Sequence, residues 1–486
     1  MSSERRAAAL IPVLIFTTTV VSLISSLGAP LLPSIARSMH VSLSDAQWAL
    51  TATVLVGAVT APIMGRLGDG PRRRETMIAG LAVVCLGGVV AALAPSLGLL
   101  VAGRALQGVG LGLVPLTMAA ARDHLPREQG LAAIGVLSIA TAAGVGVGYP
   151  LSGLLATVLG LSAAFWFGVG VTGLALLCAI AVIPSSAARI APPVDLAGAT
   201  LLGSGLTALL LAVAEGKSWG WSSATVLGLF AIASATLGWW VYQQLHSPAP
   251  LVELRLLRHP AVLTANGCAI VLGVAMYMLI TAVTEFVQAP RALTGYGFSA
   301  SVVVAGLCLV PLSATSLLWS RSLSRITERF GTRALLAGGC LAVAAAAAFL
   351  AAFHNALWEA FVMMAILGVG IASTSGAIPG LIVRAVPAGE TGSAMGFYQV
   401  VRFIGFSVGS ALAASILAIH TQAGRQLPTA DGYTAVLWVA AAICVAAAAL
   451  AWFLPARAAA TRHLGEVPNE AQADPQAPAS SRLTRA

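Results

Sequence analysis

Long apolar runs dominate the chain and recur at short intervals. A helix needs ~20 mostly apolar residues to cross a bilayer. Fourteen runs approach or exceed that length: residues 10–32, 47–67, 76–94, 97–120, 131–158, 162–183, 196–214, 222–244, 261–288, 300–320, 334–353, 357–379, 392–419 and 433–454. Pro95-Ser96 separates the third run from the fourth, and Gly160 separates the fifth from the sixth. The first run is longer than the ~7–15 residues of a signal-peptide core, so it is expected to stay as a span. The polar stretches between runs reach only about fifteen residues, too short for an extramembrane catalytic domain.

Composition sharpens this picture. Of 486 residues, 58% are hydrophobic and 9% charged, against ~25% charged in a soluble domain. Mean hydropathy is +0.92. A disordered chain, a nucleic-acid-binding domain and a soluble enzyme are all excluded. The six cysteines lie inside apolar runs with no C-x-x-C or Cys/His pairing, so neither disulfides nor a zinc site is expected. No cofactor is implied. A P-loop is missing, which removes direct ATP drive.

The net charge of +9 is explained by topology. With the N-terminus inside, the inner loops and ends hold 20 of the 26 Lys and Arg residues, and the outer loops hold four: Arg37, Lys217, Arg291 and Arg425. The remaining two, Arg104 and Arg402, lie within spans. This bias predicts cytoplasmic N- and C-termini and an even number of spans. It makes an acidic partner such as nucleic acid unnecessary.

Two features repeat at nearly one offset. Gly65-Arg-Leu-Gly-Asp69 ends in Arg74, and Ser324-Arg-Ile-Thr-Glu328 ends in Arg333; each places an acid fifth and an Arg tenth. From Gly65 to Ser324 is 259 residues, and from the Gly144/Gly148 pair to the Gly405/Gly409 pair is 261. A duplicated six-span unit follows. The expected division is a cytoplasmic N-terminus at 1–9, a six-helix bundle at 10–184 and two inserted spans at 195–245. A cytoplasmic amphipathic linker helix at 246–260, a second six-helix bundle at 261–454 and a disordered cytoplasmic tail at 455–486 complete it.

These residues resemble the major facilitator superfamily, and in particular its fourteen-span drug:proton antiporter branch. Gly65-Arg-Leu-Gly-Asp69-Gly-Pro-Arg-Arg73-Arg74 is similar to the superfamily's loop signature G-x-L-A-D-R-x-G-R-K, with Gly70 and Arg72 departing from it. Arg104-Ala-Leu-Gln107-Gly108 resembles its R-x-x-Q-G element. Gly144-Val-Gly-Val-Gly148-Tyr-Pro150-Leu-Ser-Gly153 resembles the antiporter signature, with Pro one place late. Segment 250–260 resembles the branch's lead-in to its second half, and Arg402 its arginine in span 13. The resemblance covers residues 5–455. It implies an all-α integral membrane fold of 6+2+6 helices in a bacterial cell membrane. It implies two lobes rocking about a central site, acting as a monomer on a small-molecule substrate and protons, within the lipid bilayer.

The resemblance also implies roles. Asp69, with Gly65, Arg73 and Arg74, would hold an inner gate, and Glu328, Arg329 and Arg333 would be its counterpart, unless these are surface charges that only set topology. Gly144, Gly148, Pro150 and Gly153 would seal the pathway in favour of exchange, or serve ordinary helix packing. The branch's acid in span 1 is missing, since that span reads TTTVVSLISSLGAPLLPSIA.

Other candidates come from cost. A charge at the middle of a spanning helix is expensive, ~2.5–3.5 kcal/mol on insertion scales, so Arg104 and Arg402 should face the bundle interior. Each either meets substrate or a proton site, or is satisfied by neighbouring helices. Gln107 shares a face with Arg104. Glu285 is the best-placed acid for proton coupling, unless it reaches the outer surface. Thr18, Ser22, Ser25 and Ser26 form a hydroxyl stripe on span 1 that faces a cavity or bonds its own helix. Asn266 and Gln288 are further cavity candidates. The function expected is proton-coupled efflux of amphipathic molecules, with multidrug or antibiotic resistance as its consequence. An importer or facilitator of one metabolite is the alternative. A membrane enzyme or scaffold is disfavoured because the seven histidines are scattered.

Overall fold

A computed structural model describes residues 3–41, 43–185, 195–421 and 427–452. The tail expected at 455–486, Arg189 and Arg425 lie outside those residues. The regular structure among the described residues is all helical, with no strand, and fourteen helices are long and apolar enough to cross a membrane. In order, spans 1 to 6 are Ala9–Ser26, Asp45–Gly68, Arg73–Ala92, Leu97–His124, Gln129–Val158 and Leu161–Val182. Spans 7 and 8 are Leu196–Gly216 and Ala224–His246. Spans 9 to 14 are Pro260–Gln288, Val303–Ser320, Leu323–Ala352, Leu357–Ala385, Thr391–Ile419 and Ala430–Trp452.

The breaks follow local chemistry. Gly160 takes φ 91°, a left-handed turn that a side chain would strain, and it separates spans 5 and 6. Span 1 ends earlier than its apolar run, because a break at Leu27 starts a separate short helix, Gly28–Met39. Span 4 carries a 3₁₀ turn at Val109–Gly112. Span 7 runs further than expected: its helix continues to Trp219 and so includes Glu215. The linker differs most from expectation. Of 246–260 only Leu254–Arg258 is a separate helix, and it is 3₁₀. Leu251 and Val252 are buried in the protein rather than presented on a membrane-facing side.

Spans 1–6 and 9–14 form two helical halves. They meet where span 2 packs along span 13, and where span 5 packs along spans 10 and 12. Within each half the G-x-x-x-G pairs make the same contact. A Cβ on Gly144 would meet the Thr19 carbonyl oxygen and the Ser22 Cβ of span 1. One on Gly405 would meet the Ile270 carbonyl oxygen and the Gly273 Cα of span 9. Span 5 therefore lies on span 1 as span 13 lies on span 9, backbone close to backbone. The inserted pair pack on each other, and span 7 rests against spans 2 and 13. Span 8 is mostly exposed, with Trp239 and Tyr242 on its outer face.

Candidate functional site

One end of the interface between the halves is shut. A Cβ on Gly65 of span 2 would strike the Gly392 carbonyl oxygen of span 13, and the reverse holds for Gly392. That close crossing sets Asp69 under the first turn of span 13. Its Oδ1 accepts from the Gly392 N–H at 2.7 Å, and its Oδ2 accepts from the Ser393 N–H at 2.9 Å. Donors at a helix start have no partner in their own helix and carry partial positive charge, so a carboxylate suits them. Burial pushes the Asp69 carboxyl up to about 7, while these two N–H groups, Arg73 and Arg66 pull it down.

Arg122 closes the same end from span 4. It donates to the Val386 carbonyl at 3.0 Å and to the Thr391 hydroxyl. The Ser393 hydroxyl donates to the Leu251 carbonyl at 2.9 Å, which ties the linker to the crossing. Arg122, Thr391 and Ser393 were not singled out from sequence. Arg122 was read only as one more topology-setting charge.

Other residues expected at this gate stay within one half. Arg73 donates to the Gly68 carbonyl and pairs with Asp123 at 2.5 Å. Arg74 donates to the Ile180 and Ile183 carbonyls, both at 2.8 Å, at the end of span 6. The second-half counterpart is not assembled. Glu328 and Arg329 are exposed, and Arg329 lies over the Phe330 ring at 5.4 Å. Arg333 has a buried Nε with no partner. The reason is Gly331, whose φ of 81° and ψ of 162° kink the helix between Glu328 and Arg333.

Midway along the interface lies a cavity of about 170 Å3. Span 1 contributes Ser22, Ser25 and Ser26, and span 12 contributes Thr374 and Ser375. Span 13 contributes Tyr398, Arg402, Phe403 and Phe406, and Tyr149 and Tyr277 face them. Ser25 and Ser26 donate to the Val21 and Leu23 carbonyls of their own helix, while the Ser22 Oγ is buried without a partner. Among the described lining residues Arg402 alone is charged. Its guanidinium lies 5.8 Å from the Tyr398 ring centre and 5.3 Å from that of Phe406, the residues four before and four after it. Its Nε is buried without a partner. The helical spacing around Arg402 was the sequence signal for this aromatic setting.

Arg104 is placed differently. It is fully buried, and its guanidinium donates to the carbonyls of Ile24 at 3.0 Å, Ser25 at 3.3 Å and Ala49 at 3.4 Å, and to the Gln107 side-chain oxygen at 2.7 Å. Neither Arg104 nor Gln107 lines the cavity; Arg104 joins spans 1, 2 and 4, with Gln107 bonded to it on span 4. Thr18 also falls inside the first bundle, where its hydroxyl bonds that of Thr117 at 3.0 Å. Asn266 bonds the Val262 carbonyl of its own helix and is absent from the cavity wall.

Beyond the cavity, away from Asp69, a vestibule of about 590 Å3 shares Leu50, Val54, Tyr277 and Phe406 with it. Glu215 and Glu285 both line this vestibule. Glu285 is exposed, so the burial that would have set it apart is missing. Glu215 is 9% exposed and comes from the inserted span 7. It was missed because the apolar run was ended one residue short of it. Past Glu285, a further opening lined by Gln288, Pro290 and Thr421 reaches the loops. Pro150 packs against Gly306 of span 10, and Gly153 is buried.

Two helical halves around a cavity, shut at one end and sharing wall residues with a vestibule toward the other, define a secondary transporter. The chain belongs to the major facilitator superfamily, whose profile matches residues 14–410 and again 322–483. It is 28% identical over 390 residues to the multidrug resistance protein Stp of Mycobacterium tuberculosis, across 80% of this chain and 71% of that one. It is 26% identical over 407 residues to the tetracenomycin C resistance and export protein of Streptomyces glaucescens, across 82% and 73%. Among solved structures, the human organic anion transporter MFSD10 (TETRAN) shares the fold, with a TM-score of 0.65 at 18% identity. That match covers 93% of this chain and 100% of the other.

Proposed function

We propose that the protein exports amphipathic small molecules across the cell membrane in exchange for protons, by alternating access and as a monomer. The observation that carries this reading is the cavity between the halves, closed toward Asp69 and bordered by the vestibule on the other side. The arginine bias makes the Asp69 end cytoplasmic, with both termini on that side, so this conformation faces outward. The names of the relatives support export and drug-like substrates. Largely apolar walls with a few polar anchors suit amphipathic ligands.

For proton coupling, Glu215 and Glu285 on the vestibule wall are the groups that can exchange protons with the outside. Arg104, bonded to three carbonyls and Gln107, serves as a joint of the first bundle rather than a carrier. The protein itself performs no covalent chemistry in this reading.

The test uses inverted vesicles holding an imposed proton gradient, acid inside. Candidate compounds are added while the lumen pH is followed. Collapse of the gradient by a transported compound is expected. Accumulation that persists after the gradient has been dissipated would contradict proton exchange.

A further inference from the structure

The two intramembrane arginines meet the same cost in opposite ways. A guanidinium carries five N–H donors and no acceptor. Arg104 has placed its donors on four oxygens. Arg402 makes no hydrogen bond or ion pair among the described residues, although it is half-buried at mid-span. It lies eleven residues past Thr391, ~16 Å along the helix axis at 1.5 Å per residue.

Aromatic faces take the place of a counter-ion. Tyr398 and Phe406 flank the Arg402 guanidinium, and Tyr277 stacks on Phe406 at 4.8 Å. Such contacts stabilise the cation through the ring quadrupoles. They do not use up its N–H donors. A planar fork of N–H groups with no acceptor among the described residues matches a carboxylate or sulfonate, which it can hold through two parallel bonds.

The cavity's other features fit the same ligand. Among its described lining residues there is no Asp or Glu, so no carboxylate there pairs with a cationic ligand or neutralises Arg402. Its volume of about 170 Å3 is close to the ~150 Å3 of an engineered cavity that accepts benzene. Tyr277, Phe403 and Phe406 line the same cavity as the guanidinium.

We propose that this cavity binds an aromatic anion, its ring among Tyr277, Phe403 and Phe406 and its carboxylate or sulfonate on Arg402. Calling that anion the transported substrate rests on the export reading above; the binding preference itself does not.

The experiment uses the full chain in nanodiscs of uncharged phosphatidylcholine, titrated calorimetrically with three ligands of one ring system. These are benzoate, benzamide and benzylammonium. The carboxylate is expected to bind at least tenfold more tightly than the other two. In Arg402→Gln its affinity should fall to within about twofold of the amide's, while the amide's own affinity stays unchanged. A wild-type order with the ammonium equal to or above the carboxylate would overturn the proposal. So would a tenfold anion preference that survives Arg402→Gln, or no binding of any of the three at millimolar concentration. Should Arg402→Gln fail to fold, the wild-type order decides alone. The two readings fail separately. Correct binding order without gradient-driven flux would remove export and keep the anion site. Proton-driven flux of the ammonium, unaffected by Arg402→Gln, would keep export and remove the anion site.

Discussion

Asp69 accepts a hydrogen bond from the Gly392 N–H at 2.7 Å across 323 residues of sequence, and so one half caps a helix of the other. This contact, with the Ser393 N–H at 2.9 Å, is the lock of the closed end. Replacing Asp69 by Ala leaves both donors without an acceptor. Losing an N-terminal cap costs ~0.5–2 kcal/mol, so Asp69→Ala should shift the population toward the inward-open form by several-fold. Alkylation of Ser25→Cys by an impermeant maleimide, added to the cytoplasmic face of inverted vesicles, should speed up accordingly. An unchanged rate would mean that the Asp69 contact does not hold the end shut.

Acid should favour the same closure. Burial holds the Asp69 carboxyl at about 7 in the closed contact, above the ~3.9 it regains when exposed. The closed form therefore binds the proton more tightly. The linked stabilisation is complete below about pH 4 and is lost as pH rises through 7. The Ser25→Cys alkylation rate, taken as a ratio to the same measurement in Asp69→Asn, should fall as the cytoplasmic-face pH drops from 8 to 6. A ratio independent of pH would show that Asp69 does not titrate in the gate.

Arg104 should matter for stability more than for ligand choice. Arg104→Leu leaves the buried Gln107 side-chain oxygen without its partner, at a cost of ~1–3 kcal/mol. Thermal unfolding in detergent should shift downward. Any protein that folds should keep the wild-type ligand order, because Arg104 does not line the cavity. Loss of that order in a stable Arg104 variant would return it to the binding site.

The inserted pair is tied down through Asp195. Its carboxylate accepts from the Gly198 N–H at 2.8 Å and from the Gln243 and Gln244 amides at 2.9 and 2.7 Å. Burial lifts this carboxyl, but those bonds and one from Leu251 hold it below the usual range. The stabilisation is therefore present at neutral pH and lost as pH falls through the depressed value. Gln244 also accepts from the Val252 N–H at 3.1 Å, next to the Leu251 carbonyl that Ser393 uses. Asp195→Ala is expected to cost ~1–2 kcal/mol of stability and to raise proteolysis in the 247–253 linker. A linker equally resistant in the variant would show that Leu251 and Val252 are held by packing alone.

Much of this was legible in the sequence. The fourteen spans, the break at Gly160 and the repeated glycine pairs follow from apolar length, turn chemistry and close helix approach. Asp69 was readable because its motif is local. What was not legible depends on helix rotation and on the distance between chain segments. The cost of a buried charge does not distinguish Arg104, satisfied by carbonyls, from Arg402, left to aromatic rings; the one hint is the pair of aromatic residues four before and four after Arg402. Arg122 gains its meaning only once Val386 and Thr391 stand opposite it. Glu215 was hidden by a span end set one residue early, and the likeness of Glu328 to Asp69 in sequence is broken in space by the kink at Gly331.

The central claim is that the two halves open alternately about the cavity. It is tested most directly by double electron–electron resonance on two label pairs, in a background where the six native cysteines are replaced. One pair, at positions 72 and 325, reports the Asp69 end; the other, at 159 and 353, reports the opposite end. All four positions are exposed. Adding Asp69→Ala should lengthen the 72–325 distance and shorten the 159–353 distance together. Distances that both lengthen, or a 72–325 change with the other end fixed, would contradict alternating access.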